Sequence, residues 1–145
     1  MSKAEQDLNQ GNYDNTFKTL YGREDVNFHQ RRWVDIVRAH EKRTGDASPR
    51  LFSSPGRTEL SGNHTDHNRG RVLAAGIQLD TIAAVTLTSP GGRGNLIAEV
   101  VSEGYPAVRV DLSSLEKVPS EVGRTDALLR GIASSIVRRG GRIGS

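Results

Sequence analysis

The sequence lacks cysteine, is poor in aromatic residues and has no long hydrophobic run. None of its 145 residues is a cysteine, which excludes disulfides, thiolate nucleophiles and cysteine-based zinc sites. Aromatic residues make up only 5% of the chain. No segment approaches the roughly 18 consecutive apolar residues of a membrane-spanning helix, and the polar first residues do not resemble a secretory signal. We therefore expect a cytoplasmic protein with no membrane partner.

The charge of the chain is nearly balanced. Twenty basic and 17 acidic residues give a net charge of +3. The arginine pairs at 31–32 and 138–139 are far apart in the sequence and are typical of solvated surfaces or helix ends. Because no basic run is present, we expect no nucleic-acid partner.

Two segments have the apolar spacing of amphipathic helices. Residues 26–40 precede Gly45, a helix-ending residue, and residues 125–139 precede the glycines at 140 and 141. Thr125 is a candidate amino-terminal cap for the second helix. The first 22 residues are polar with scattered apolar positions, which predicts a short helix or a loose lead-in.

Between these helices the apolar period changes to that of strands. Strands are predicted at residues 51–54, 72–88, 96–103 and 107–112. Pro55–Gly56 predicts a turn or bend, and the glycine-rich residues 89–94 predict a hairpin connection. The length indicates one compact unit, and the element order predicts an α+β fold with a mixed or antiparallel sheet and flanking helices.

One polar segment, residues 53–70, has a composition that an ordinary core would not tolerate. Its centre, residues 63–68, is a run of six side chains that all form hydrogen bonds. Such a run can line a pocket for a hydroxyl-rich ligand such as a sugar, because it offers both donors and acceptors. It is also compatible with a polar loop built on Asx turns, and His64 and His67 leave a metal site open as a third interpretation.

The same segment resembles the galactokinase signature of the GHMP kinases. The matching residues occur in order and without a gap: Pro55, Gly56, Arg57, Leu60, Gly62, His64, Thr65, Asp66, Asn68, Gly70, Val72 and Leu73. The resemblance implies that residues 1–145 are an amino-terminal part of a GHMP kinase, with an incomplete two-layer fold like that of ribosomal proteins. Residues 1–45 would then be a helical lead-in, and residues 53–73 the sugar-binding signature.

The resemblance also implies an activity and its site residues. Galactokinases transfer phosphate from ATP, with Mg²⁺, to the anomeric hydroxyl of galactose. Arg57 would lie beside the anomeric oxygen, bind the sugar and stabilise charge during transfer. Asn63, His64 and Asp66 would bind other hydroxyls of galactose or a related monosaccharide. No residue is assigned to ATP, and none to a metal ion.

Departures from the family pattern leave other functions open. Asn63 stands where the pattern has glutamate and His67 where it has tyrosine, which leaves the preferred sugar undetermined. The family's phosphate loop is not found before Ser145, so we expect this chain alone to be inactive, with exposed apolar surface and self-association. A non-catalytic galactose sensor or regulator is the main alternative, and RNA binding is a weaker one.

Overall fold

A computed structural model describes residues 1–23, 25–62, 69–88 and 96–143. The chain divides into two compact units, Met1–Thr86 and Leu87–Ser145, where the length had indicated one. The described strands form two separate two-stranded sheets, so no ladder of backbone hydrogen bonds joins them into one sheet. Among these residues, no helix combines the length and apolar character needed to cross a membrane.

The first unit contains three helices followed by a long hairpin. The elements are α1 (Lys3–Asn9), α2 (Asp14–Tyr21), α3 (Val26–Thr44), β1 (Arg50–Ser61) and β2 (Leu73–Val85). The helix predicted from residue 26 is confirmed and is one turn longer than predicted. It ends at Gly45, which has a φ of 75° and donates its N–H to the Glu41 carbonyl. The predicted lead-in forms α1 and α2.

The antiparallel hairpin of β1 and β2 has two halves with different registers. Residues 50–55 pair with residues 80–85, and we call this the helix-packed half. Residues 57–61 pair with residues 73–76, and we call this the signature half. Between the halves, residues 77–79 of β2 form a bulge. A bulge bends and twists a strand pair, so the two halves need not point in the same direction.

Pro55 and Gly56 lie inside β1 beside a bulge, so of the predicted turn or bend the structure has a bend within a strand. Pro55 is the last paired residue before the register shift and Gly56 lies within the shift, so the missing N–H of proline falls where the regular ladder ends. A Cβ atom on Gly56 would lie 3.0 Å from the carbonyl oxygen of Leu79, so glycine allows the bulged strand to approach closely. Pairing with β2 therefore overrides the local turn preference of the Pro–Gly sequence.

The core of the first unit lies between its helices and the helix-packed half. Trp33 and Val37 of α3 are buried at its centre. Leu51 and Ile82 pack against this core from the hairpin. The remaining buried members come from α1, α2 and α3: Ala4, Leu8, Phe17, Tyr21 and Val34.

The second unit contains a small hairpin and one long helix. Its elements are β3 (Ile97–Val100), β4 (Val108–Asp111), a short 3-10 helix (Pro119–Glu121) and α4 (Thr125–Arg138). The two strands are antiparallel, and with the first unit they confirm the predicted α+β class. Thr125 is already helical and Arg124 precedes it as the cap residue, so the predicted Thr125 cap is wrong.

Two further predictions concern this second unit. The hairpin connection predicted at residues 89–94 lies outside the described residues, so it stays a prediction. Leu128, Ile132 and Ile136 of α4 are exposed, as expected for apolar surface without a covering element. Self-association through this surface stays a prediction.

Candidate functional site

Arg57 is the predicted site residue that falls within the described part of the chain. It lies on β1 in the signature half, opposite Gly76 of β2, and its side chain is 72% exposed. A Cβ atom added to Gly76 would have no atom within 4 Å, so the space beside this position is open. The guanidinium group is therefore accessible to a ligand.

Glu59 is the charged neighbour of Arg57. One carboxylate oxygen of Glu59 lies 3.6 Å from Nη2 of Arg57. Residues two apart on a strand share a face, so alternation could have indicated this pair in the sequence, although no role was assigned to Glu59. Exposed pairs of this kind contribute at most about 1 kcal/mol to stability. The contact orients Arg57 without sequestering it.

The other predicted site residues, Asn63, His64 and Asp66, lie outside the described residues, so their roles stay predictions. The structure does describe the anchors on either side of them. Gly62 has a φ of 89°, and a Cβ atom there would overlap the carbonyl oxygen of Arg71. The connection that carries these residues therefore begins and returns at one place, the end of the signature half.

A buried polar group, the Asp80 cluster, lies at the other side of the bulge. It consists of Asp80 with Tyr21, Arg32 and Ser53. The Asp80 carboxylate accepts hydrogen bonds from Tyr21 Oη at 2.5 Å, Ser53 Oγ at 2.6 Å and Arg32 Nη1 at 2.9 Å. The Asp80 side chain is only 3% exposed. The cluster thus joins α2, α3, β1 and β2 through one carboxylate.

Hydrogen bonding keeps Asp80 ionised despite its burial. Burial is the largest single effect and acts to raise the pKa of Asp80, but the donors Ser53, Tyr21 and Arg32 together lower it below its usual value. Burial and the hydrogen bond to Asp80 raise the pKa of Tyr21. Trp33 Nε1 donates to Tyr21 Oη at 3.2 Å, which extends the network into the core.

His29 is attached to this cluster through two contacts. Its ring stacks on Tyr21 with centroids 3.5 Å apart, and its Nδ1 lies 2.9 Å from Nη1 of Arg32. Because arginine can only donate, Nδ1 must accept, and the ring is neutral. Burial and the charge of Arg32 lower the pKa of His29 accordingly. Among the described residues, every buried side-chain polar atom has a partner.

The β1–β2 hairpin lies within a segment that matches a known protein family. Residues 38–87 match the family model described as galactokinase galactose-binding signature. This segment is therefore similar to the galactose-binding signature of galactokinases. It includes the end of α3, all of the β1–β2 hairpin, Arg57 and Asp80. The resemblance predicted from the sequence is confirmed.

Curated relatives match the chain over a segment of similar length. Galactokinases of Lacticaseibacillus casei, its strain BL23 and Lacticaseibacillus paracasei are each 39% identical to the chain over 52 residues. The match covers 36% of this chain and 13% of each relative. No solved structure matches the chain. The likeness to galactokinase therefore covers about a third of this chain and a small part of each relative.

Proposed function

We propose that the chain binds galactose through the galactokinase segment, with Arg57 beside the anomeric oxygen of the sugar. The observation that supports this proposal is an exposed guanidinium group, opposite Gly76 and open space, inside the segment that matches the galactose-binding signature. A guanidinium group carries several donors in a fixed plane and suits a sugar oxygen. Its loose contact with Glu59 would yield to such a ligand.

Asn63, His64 and Asp66 would complete the sugar site from the connection that follows Gly62. Asp66 can accept two hydroxyl hydrogens, His64 can donate and accept, and the amide of Asn63 can do both. This mixture suits a ring with several hydroxyl groups. The close approach of Gly62 to Arg71 supports the proposal, because it holds the two ends of this connection together at the tip of the hairpin.

In the whole protein we propose a galactokinase-type reaction in the cytoplasm. ATP, when bound with Mg²⁺, would supply the phosphoryl group that the anomeric hydroxyl of galactose receives. Arg57 would stabilise the negative charge that develops on that oxygen, since such transfer depends mainly on positioning and charge. The described residues hold no group of three acidic or histidine side chains that could bind a metal ion, so we assign them no role toward Mg²⁺.

Calorimetric titration of the chain with galactose tests the sugar site. Arg57→Ala should weaken binding about tenfold or more, because a hydrogen bond from a charged group contributes about 1.5–3 kcal/mol. Arg50→Ala is the matched control, since Arg50 is an exposed arginine on the same strand outside the signature motif. No binding by the unaltered chain, or equal effects of the two substitutions, would refute the proposal.

A non-catalytic galactose sensor is the second candidate, and the departure at Asn63 is the observation that favours it. An amide in place of a carboxylate removes a pure acceptor from the sugar site while leaving binding feasible. Assays of the full gene product with galactose and ATP separate the two functions. Turnover supports the kinase, whereas galactose binding without turnover supports the sensor.

A further inference from the structure

We propose that the Asp80 cluster is a positioning device for the sugar site. It holds the helix-packed half of the hairpin against α2 and α3, and so sets the direction in which the signature half and Arg57 leave the core. The consequence for the sugar rests on the proposed function. The positioning itself is a property of the hairpin alone.

Asp80 occupies the position where such a device is needed. It pairs with Pro55 in the last regular rung of the helix-packed half. Beyond this rung comes the bulge of residues 77–79, after which the register has shifted. Because a bulge leaves residues unpaired and bends the strand, the rung beside it determines the starting direction of everything beyond.

Asp80 is fixed through both its side chain and its backbone. Arg32 of α3 donates from Nη1 to the carboxylate and from Nη2 to the Asp80 carbonyl oxygen, at 2.9 and 3.3 Å. Tyr21 holds the carboxylate from α2, and Ser53 holds it from the partner strand. Bonds from three elements constrain this residue in more than one direction.

The signature half has little packing that could fix its direction independently. Leu60 and Leu73, its large apolar residues, are mostly exposed. Segments with few buried contacts open with a low free-energy cost. The orientation of Arg57 therefore depends on the anchor at Asp80.

The same unit contains a matched control for this anchor. Glu5 of α1 is also a buried carboxylate paired with an arginine of α3, because its Oε1 accepts from Nε and Nη2 of Arg38 at 2.9 and 2.6 Å. This pair joins α1 to α3 and involves neither strand of the hairpin. Glu5→Gln and Asp80→Asn remove equivalent charges, one of them beside the bulge.

Amide hydrogen exchange on the full chain tests the positioning role. Asp80→Asn should speed exchange in residues 57–61 and 73–76 about tenfold, as expected for loss of about 1.4 kcal/mol of local stability. Glu5→Gln should leave exchange in those residues unchanged. Equal effects of the two substitutions, or unchanged exchange in Asp80→Asn, would overturn the proposal.

Ser53 provides a milder pair of variants in case Asp80→Asn does not fold. Ser53→Ala removes one hydrogen bond to Asp80 and should speed amide exchange in the signature half severalfold. Ser53→Thr keeps the hydroxyl group, so amide exchange in this variant should be as slow as in the unaltered chain. If amide exchange in the signature half is as fast in Ser53→Thr as in Ser53→Ala, the positioning role is wrong.

Galactose titration of the same variants separates this inference from the proposed function. Ser53→Ala should weaken galactose binding severalfold, while Ser53→Thr and Glu5→Gln should bind like the unaltered chain. If no variant binds galactose, the proposed function fails and the exchange data still decide the positioning role. If exchange changes and galactose affinity does not, the cluster does not position the sugar site.

Discussion

Each half of the β1–β2 hairpin contains one member or both members of an arginine–carboxylate pair, and the two pairs differ in distance and in burial. Arg32 and Asp80 are 2.9 Å apart with side chains 29% and 3% exposed. Arg57 and Glu59 are 3.6 Å apart with side chains 72% and 26% exposed. Burial and the number of partners, rather than residue type, separate a structural arginine from one that is available to a ligand.

The energetic consequence follows from the surroundings of each carboxylate. Three side-chain donors take the place of water around the Asp80 carboxylate. Removing the carboxylate or one of its donors therefore leaves buried polar groups without a hydrogen-bond partner. Glu59 remains near water, which can replace Arg57 at little cost. The following predictions test this contrast in order of decreasing effect.

The largest effect is expected for Asp80→Ala. This change leaves the donors of Tyr21, Ser53 and Arg32 without their acceptor. It should lower the free energy of unfolding of the first unit by about 3–5 kcal/mol. Urea unfolding followed by the fluorescence of Trp33, the single tryptophan, measures it. Glu59→Ala is the control, with an expected change within about 0.5 kcal/mol. Similar losses of unfolding free energy in Asp80→Ala and Glu59→Ala would show that the two pairs do not differ in their contribution to stability.

The next effect concerns the closed end of the signature half. Gly62→Ala should cost about 1–2 kcal/mol for its positive φ and about 1–3 kcal/mol more for the overlap with Arg71. Gly45→Ala isolates the first contribution, because Gly45 has a φ of 75° but no atom within 4 Å of an added Cβ. Thermal unfolding compares the two variants. A Gly45→Ala variant as unstable as Gly62→Ala would show that the close approach is unimportant.

A smaller effect is expected from the protonation of His29. The folded state lowers the pKa of His29 by burial and by the charge of Arg32, so it favours the neutral ring. The stabilisation is therefore present above the ordinary histidine pKa of about 6.5, and is lost as the pH falls through the lowered value. Unfolding midpoints between about pH 8 and about pH 5 measure this slope. His29→Gln should remove it, and an unchanged slope in that variant would assign it to another group.

The smallest effect on stability is expected for Glu59→Gln. Loss of an exposed pair should change the free energy of unfolding by no more than about 0.5 kcal/mol. Galactose affinity should change less than in Arg57→Ala, because Glu59 only orients the guanidinium group. Calorimetry and urea unfolding check both points. A Glu59→Gln variant that loses galactose as completely as Arg57→Ala would assign Glu59 a direct contact with the sugar.

The elements that were predicted correctly are those with a strong local signal. The apolar period of α3 and α4, and the glycine after α3, are visible within a few residues of sequence. At Pro55–Gly56 the chain has a bend within a strand and no turn, because β2 pairs with the residues on both sides of it.

The residues of the candidate site differ in how much local signal they carry, and the role of Arg57 stays a prediction. Arg57 was identified from a contiguous motif, and the structure describes it as an exposed residue with open space beside it. Glu59 could have been paired with it from strand alternation. Asp80 carries no local signal, since a single aspartate in an apolar strand is compatible with many roles.

The sequence by itself determined the galactokinase likeness, because the signature is a contiguous string of side chains whose chemistry needs no knowledge of the fold. Only the tertiary structure decided the role of Asp80. Its side-chain partners Ser53, Arg32 and Tyr21 are 27, 48 and 59 residues away in the chain. Local periodicity describes only neighbouring residues, whereas a buried carboxylate acquires its function from whichever distant donors the fold brings to it.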